Sequence, residues 1–409
     1  MTRYTELAER FGTPLYVYDL DRVDAARRDL FAALPEGFDV FYALKANPHP
    51  DVARTLGQAP DRACRAEISS LGELAAAESA GFDTSGCLYT GPGKTDAELR
   101  VAIGRGVRLF SVESPSDLRH IGAAATALGT VADCLLRINS ENSAAVTGMR
   151  MTGRPSQFGI DSETLADVLP SLREVPGTRI VGAHFFPLSN AKDEASLIAE
   201  FEHTIAAAAR MERELGLPLE FVDIGGGFAA PYAVPGERPV YGALRQALEN
   251  ALDLHFPRWR ESGPRFACES GRYLASDSGV LLSEVVNIKE SRGRTFVVLD
   301  AGINAFGGLS GLGRLLPVAL QLDGASPEQT GSLVGPLCTP GDVLGREIDL
   351  PKLTEGDIVT VPNAGAYGVT ASLLMFLGRP APTEIAVRGD DIVSVSRLEH
   401  GRVPREELG

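Results

Sequence analysis

The chain has 409 residues, 44% hydrophobic and 23% charged, the balance of an ordinary globular protein, and its length favours two domains over a single core. With 39 basic and 54 acidic residues the net charge is −15, which argues against nucleic acid or an anionic membrane surface as the main partner. No apolar run approaches the roughly 20 residues of a membrane span, and five scattered cysteines without a C-x-x-C pair suggest neither a disulfide framework nor a metal site.

In chain order, the opening MTRYTELAERFG lacks an apolar signal core, which points to the cytoplasm. TPLYVYDLD (13–21) reads as a strand that precedes the main repeat and joins a later β domain. Eight short apolar or β-branched runs follow: 39–44, 63–68, 86–90, 107–112, 132–138, 179–185, 219–224 and 264–269. Between them lie segments with helical spacing of apolar residues, among them 68–81, 94–106, 113–129, 195–216 and 241–256, several ending at glycine. This alternation predicts an α/β (β/α)8 barrel over 26–275, with an open doubly wound sheet as the alternative. Strand-like stretches after 275, separated by Gly, Pro and Asp, predict an all-β second domain made of 1–25 and 276–409.

A barrel of this kind carries its site at the C-terminal strand ends. Lys45 follows the first predicted strand, Glu67 ends the second, His184 and Phe186 close the sixth, Gly225, Gly226 and Gly227 follow the seventh, and Glu269 ends the eighth. A desolvated lysine is a nucleophilic amine able to form an imine with an aldehyde; taken alone, Lys45 equally reads as a side chain turning its head to water. The glycine triplet lets backbone N–H groups approach a phosphate, although by itself it also reads as a flexible turn. Glu269 could hold a ring nitrogen protonated and Arg272 could add charge to a phosphate site, while a surface ion pair is the plain reading of the two. Together the three features describe a site for pyridoxal 5′-phosphate.

On these residues, and on TPLYVYD, YALKAN, AEISSLGEL, FVDIGGGF, ESGRYL, GPLCTPGD (335–342) and GAYG (365–368), the chain resembles the fold-type III pyridoxal phosphate decarboxylases. The group includes the diaminopimelate, ornithine and arginine decarboxylases and has an alanine racemase-like barrel plus a β domain. The resemblance implies that Lys45 is the cofactor-bound lysine and that Glu269 faces the pyridine nitrogen. It further implies that Gly225, Gly226, Gly227, Gly271, Arg272, Ser189 and Tyr367 serve the phosphate, and that Glu67, Arg137, His184 and Phe186 surround the cofactor. It also implies a head-to-tail homodimer in which Cys338, as proton donor, and Asp342 contribute to a neighbour's site, with Asp342 and Tyr367 as substrate contacts. Judged by itself, Cys338 reads as a small buried hydrophobe.

Two departures stand out. Phe186 and Leu188 replace the histidine and glycine usual in the family, and Cys338-Thr339-Pro340 replaces the C-E-S of diaminopimelate decarboxylases, whose glutamate grips the distal end of the substrate. GPLCTPGDVLG, TGMRMTGRPSQFGID, TGPGK and GAYGVTASLLMFLGRPAPTEI are instead similar to decarboxylases of antibiotic gene clusters that act on a glutamyl or methylaspartyl group tethered to an acyl carrier protein. Arg150 and Arg154 are then the expected docking cations for an acidic carrier, or else a plain solvated loop. An amino acid racemase and a non-catalytic cofactor carrier are the rival readings; Glu269 disfavours the first and the β domain the second.

Overall fold

The computed structural model describes residues 3–141, 149–150 in backbone only, 153, 155–306 and 327–404. The chain forms two compact units, Asp24–Ala230 with Arg238–Leu274, and Met1–Val23 with Pro231–Glu237 and Ala275–Gly409.

The first unit is built on eight parallel strands: Asp39–Ala43, Arg65–Ile68, Leu88–Tyr89, Leu109–Val112, Ala132–Asn139, Thr178–Phe185, Phe221–Asp223 and Arg265–Ser270. Each pairs with the next in chain order, and the eighth pairs with the first, Glu269 opposite Phe41, so the sheet closes. Closure excludes the open doubly wound alternative. Phe41, Leu88, Leu109, Leu135, Val181, Phe221 and Ala267 form one buried cluster within it, the packed interior expected of such a barrel.

The five expected helices appear as Leu71–Ser79, Asp96–Gly104, Pro115–Ala127, Glu194–Leu215 and Leu244–His255. Four of the five starts carry side-chain caps that satisfy orphan N–H groups, for example the reciprocal Thr95–Glu98 capping box and Asp193 at the longest helix. Leu20–Ala32 and Pro50–Gly57 are further helices that the spacing did not single out.

The second unit is an eight-stranded sheet organised by the long strand Gly279–Ser291. Its first half pairs with Leu15–Asp19 and Ile358–Val361, and its second half with Arg294–Leu299. The N-terminal strand therefore does join the β unit, where it also pairs in parallel with Thr383–Arg388. Helix Arg3–Phe11 covers it, placing Leu7 and Ala8 against Leu15, Val17, Leu282, Ile385 and Val387. Strands Gln329–Val334 and Val343–Leu350 were not anticipated, because a glycine interrupts the first, glycine and charge interrupt the second, and mutual pairing makes the strands. Pro231–Glu237 belongs to this sheet unit as well: Asn363 Nδ2 donates to Val234 O at 2.7 Å and to Gly236 O at 3.2 Å.

Candidate active site

Side chains alternate across a strand, so residues two apart share a face. Counting two residues from the apolar layer of the barrel gives Ala43 after Phe41, Thr90 after Leu88, Ser111 and Glu113 after Leu109, Arg137 after Leu135, Asp223 after Phe221 and Glu269 after Ala267. In the sixth strand the pairing shifts by one residue between Ile180 and Gly182, so Val181 joins the apolar layer and His184 still reaches the polar one. Parity alone thus stacks a polar layer on an apolar one, at the C-terminal end of the barrel.

At the rim, the first strand stops at Ala43 and Lys45 lies in the turn Leu44–Ala46. Its side chain is 45% exposed, so strong desolvation, expected from the sequence, is not what distinguishes it: the turn lifts the amine clear of the packed strand. Nζ is instead held by Glu67, 2.9 Å from Oε1 and 2.8 Å from Oε2. Glu67 is buried and also accepts from the hydroxyl of Thr90. Behind this pair, burial and the charge of Glu67 push Glu73 up to about 7, although it accepts from Ser69 N–H at 2.6 Å.

Deeper, Ser111 Oγ lies 2.7 Å from His184 Nδ1, and His184 Nε2 lies 3.2 Å from Glu269 Oε1. The second contact is an ion pair off the line a hydrogen bond requires, since neither atom has a hydrogen-bond partner. Asp223 is the third member: Oδ1 accepts from Gly225 N–H at 2.9 Å and Oδ2 has no partner. Burial raises and His184 lowers the Glu269 pKa, and with Lys45 and Arg137 the lowering wins, holding this carboxyl below the usual range. Burial and the Glu269 charge push Asp223 the other way, up to about 7. Glu269 is therefore no surface ion-pair residue.

Arg137 is gripped by Glu113, 2.9 Å from Nη1 to Oε1, and its guanidinium lies over the rings of Phe158 (4.6 Å) and Phe186 (5.9 Å). Glu113 Oε2 also accepts from Gly159 N–H at 2.7 Å. Phe186 is half-buried after the sixth strand, and Ser189 sits in the short strand Leu188–Ser189. Ala191 N–H donates to Gly227 O at 2.8 Å, which ties this segment to the glycine run.

Gly225 and Gly227 adopt φ of +82° and +117°, where a side chain is strained, and a Cβ on Gly226 would come within 2.7 Å of Glu269 O. Gly271 and Arg272 follow the eighth strand, with Arg272 opening the helix Arg272–Ala275. A turn with no room for side chains, beside a buried carboxylate oxygen that lacks a partner, fits a phosphorylated pyridine ring.

The sheet unit carries the remaining predicted residues. Cys338 is exposed rather than a buried hydrophobe. Asp342 is buried, and its carboxylate accepts from Ile303 N–H at 2.8 Å and Leu337 N–H at 2.7 Å, an occupation that a substrate contact does not require. Tyr367 has φ +53°, and its carbonyl accepts from Tyr232 Oη at 3.1 Å. Arg154 and the side chain of Arg150 lie outside the described residues.

Ser111, Asp223, Thr90 and Glu113 were missed from the sequence. The available signal was parity: each lies two or four residues beyond an apolar interior residue of its own strand.

A family profile described as "Pyridoxal-dependent decarboxylase, pyridoxal binding domain" matches residues 20–276. The chain is 32% identical over 405 residues to the L-glutamyl-[BtrI acyl-carrier protein] decarboxylase of Niallia circulans, covering 96% of this chain and 93% of that protein. It is also 32% identical over 408 residues to the diaminopimelate decarboxylase of Methanothermobacter thermautotrophicus, covering 96% and 91%. Diaminopimelate decarboxylase from Helicobacter pylori, complexed with L-lysine, superposes with a TM-score of 0.80 at 28% identity, covering 96% of this chain and 95% of that one. No helix among the described residues is long and apolar enough to cross a membrane. A closed barrel with these strand-end residues, matched over nearly its whole length by enzymes of one reaction class, belongs to the pyridoxal-dependent decarboxylases, carbon–carbon lyases that use pyridoxal 5′-phosphate.

Proposed function

We propose that the enzyme removes the α-carboxylate of an aminoacyl group, of glutamyl or methylaspartyl type, while that group is tethered to an acyl carrier protein in natural-product biosynthesis. The observation that carries this reading is Thr339 directly after Cys338, where diaminopimelate decarboxylases place the glutamate that grips the distal end of a free substrate. A tether makes that grip unnecessary, and the resemblance to a glutamyl-carrier-protein decarboxylase points the same way.

When bound, the cofactor supplies an electron sink for the pair left at Cα as carbon dioxide departs. Lys45 is the residue that would hold the cofactor through its aldehyde, with Glu67 orienting Nζ. Glu269 would accept from the pyridine N–H and keep that nitrogen protonated. Gly225, Gly226 and Gly227, with Gly271, Arg272, Ser189 and Tyr367, hold the phosphate. Arg137 and Phe186 close the site around the ring, Phe186 offering a face for stacking but no proton. Cys338 of the partner subunit in a head-to-tail dimer, or Lys45, delivers the proton to Cα. Asp342 serves the substrate by shaping the loop that carries Cys338.

The test is intact-mass analysis of glutamyl- and methylaspartyl-carrier proteins after incubation with enzyme and cofactor, beside carbon dioxide release from free glutamate, diaminopimelate and ornithine. The reading expects the tethered substrates to lose one carbon dioxide with kcat/KM at least about 100-fold above any free amino acid, because the carrier contributes binding remote from the reacting carbon. Reversing the charges of Arg150 and Arg154 should raise the KM for the carrier, most at low salt. A second reading, decarboxylation of a free amino acid such as diaminopimelate or ornithine, has support in the equal identity to a diaminopimelate decarboxylase. Turnover of a free substrate with no preference for the tethered form would select it and reject the first.

A further inference from the structure

Four barrel strands each send one side chain into a buried group that the site residues above do not explain. Ser111 comes from the fourth strand, His184 from the sixth, Asp223 from the seventh and Glu269 from the eighth, and none is more than 5% exposed. One ligand atom from each of His184, Asp223 and Glu269 falls within 4.8 Å of the others. The imidazole is the centre of the group, 2.7 Å from Ser111 Oγ through Nδ1 and 3.2 Å from Glu269 Oε1 through Nε2.

We propose that Ser111, His184 and Asp223 form a frame beneath Glu269 that sets the orientation and charge of its carboxylate, with His184 as the positioning residue. Two carboxylates this close in a dry interior cannot both ionise without a cation, because each would face the other across a medium that solvates neither. The ring of His184 is the cation on the spot, and Ser111 fixes which way the ring faces. Its hydroxyl can accept from Nδ1–H, which leaves both ring nitrogens protonated and Nε2–H turned toward Glu269.

The titration tendencies agree with this placement. Burial lowers the His184 pKa and Arg137 adds to that, but the charge of Glu269, with that of Asp223, outweighs both, so the net shift is upward. Asp223, raised to about 7, feels burial, Glu269 and Glu67 on one side and His184 and the Gly225 N–H on the other. Below about pH 7 the frame is then neutral, with Glu269 ionised, His184 charged and a proton on Asp223. Without the His184 charge, that proton would move to Glu269, turning an acceptor for the pyridine N–H into a donor. His184 thus acts through Glu269 rather than by touching the cofactor.

This inference rests on the assignment of Glu269 to the pyridine nitrogen, so the deciding measurement is one that needs no cofactor: an NMR titration of the full chain with labelled histidine side chains, before and after cofactor loading. His184 should show an imidazolium pattern persisting above the ordinary histidine value of about 6.5, and Glu269→Gln should lower its midpoint by at least about one unit, a tenfold change in proton affinity. In the loaded enzyme, His184→Gln should shift the pH profile of the bound cofactor's visible band and reduce kcat with little change in KM, movements that a merely structural role would not produce. If His184→Gln does not fold, Ser111→Ala should still lower the His184 midpoint by removing the partner of Nδ1. A neutral His184 through pH 6 to 8, or a midpoint indifferent to Glu269→Gln, would overturn the frame, as would one divalent metal ion per chain held by the triad. Failure of the visible band to form at all, with the titration as expected, would reject the cofactor assignment and leave the frame standing.

Discussion

Two carboxylates in this chain are equally inaccessible and stand in opposite conditions. Glu269 in the barrel and Asp342 in the sheet unit are each 3% exposed. Asp342 has both oxygens engaged by backbone amides of its own loop, one each from Ile303 and Leu337, and Gly302 and Gly335 leave room for nothing else: a Cβ on either would lie within 2.5 Å of that carboxylate. Glu269 has an oxygen with no hydrogen-bond partner among the described residues and a histidine close by to keep it charged. A buried carboxylate that is fully satisfied holds its own fold together. One that is held ionised and left incomplete is ready for a partner from outside.

The largest expected effect of breaking this contrast is on chemistry. Glu269→Gln should reduce kcat by about 100- to 1,000-fold, the usual loss when a charged group aimed at the reacting system is neutralised. Chemical denaturation should show a far smaller loss, since the ion pair with His184 is lost but no hydrogen bond to Oε1 is. Equal losses of activity and stability would erase the distinction from Asp342.

Asp342→Ala should behave in the reverse manner. Each amide left without its acceptor costs about 1–3 kcal/mol, so the denaturant midpoint should fall markedly. Reduction with borohydride followed by peptide mapping should still find the cofactor on Lys45. An Asp342→Ala protein of unchanged stability would show that its hydrogen bonds do not organise the loop.

A smaller effect separates the units by pH. Asp223 in the barrel and Glu384 in the sheet unit, which accepts from Tyr18 Oη at 2.9 Å, are both raised to about 7 chiefly by burial. Their unfolded values are about 4, so between pH 4 and 7 the folded chain binds the extra protons, and the stability they contribute is lost as pH rises through about 7. Urea midpoints should therefore fall between about pH 4 and 7 and level off above that, with a slope of at most about 1.4 kcal/mol per pH unit for each group. Asp223→Asn and Glu384→Gln should each flatten the curve. Cofactor loading should change the Asp223 part alone; a change in the Glu384 part would mean that the two units are coupled.

Much of this was legible in the sequence, for reasons that differ by region. The eight barrel strands were, because a strand covered on both faces must be a continuous apolar run, and because glycines mark several helix ends between them. Lys45, Glu67, His184 and Glu269 were legible because each ends or follows such a run. Ser111 and Asp223 escaped because each sits inside its strand run, where a polar residue gives no local signal; only the shared parity with Leu109 and Phe221 marks them as facing inward. Strands Gln329–Val334 and Val343–Leu350 escaped for the opposite reason, their own residues being poor advertisements for a pairing that neighbours impose. The burden on Asp342 could not be read at all, since its amide donors lie 39 and 5 residues away in the chain.

The most direct measurement is a crystal structure of the cofactor-loaded enzyme. It should show Lys45 Nζ bonded to the aldehyde carbon of the cofactor, the phosphate against Gly225, Gly226 and Gly227, and the pyridine nitrogen about 2.7–3.2 Å from Glu269, the normal hydrogen-bond range. A cofactor bound through another lysine, or with its ring nitrogen turned away and the Glu269 oxygen still unpartnered, would contradict the reading of this carboxylate as the incomplete half of the site.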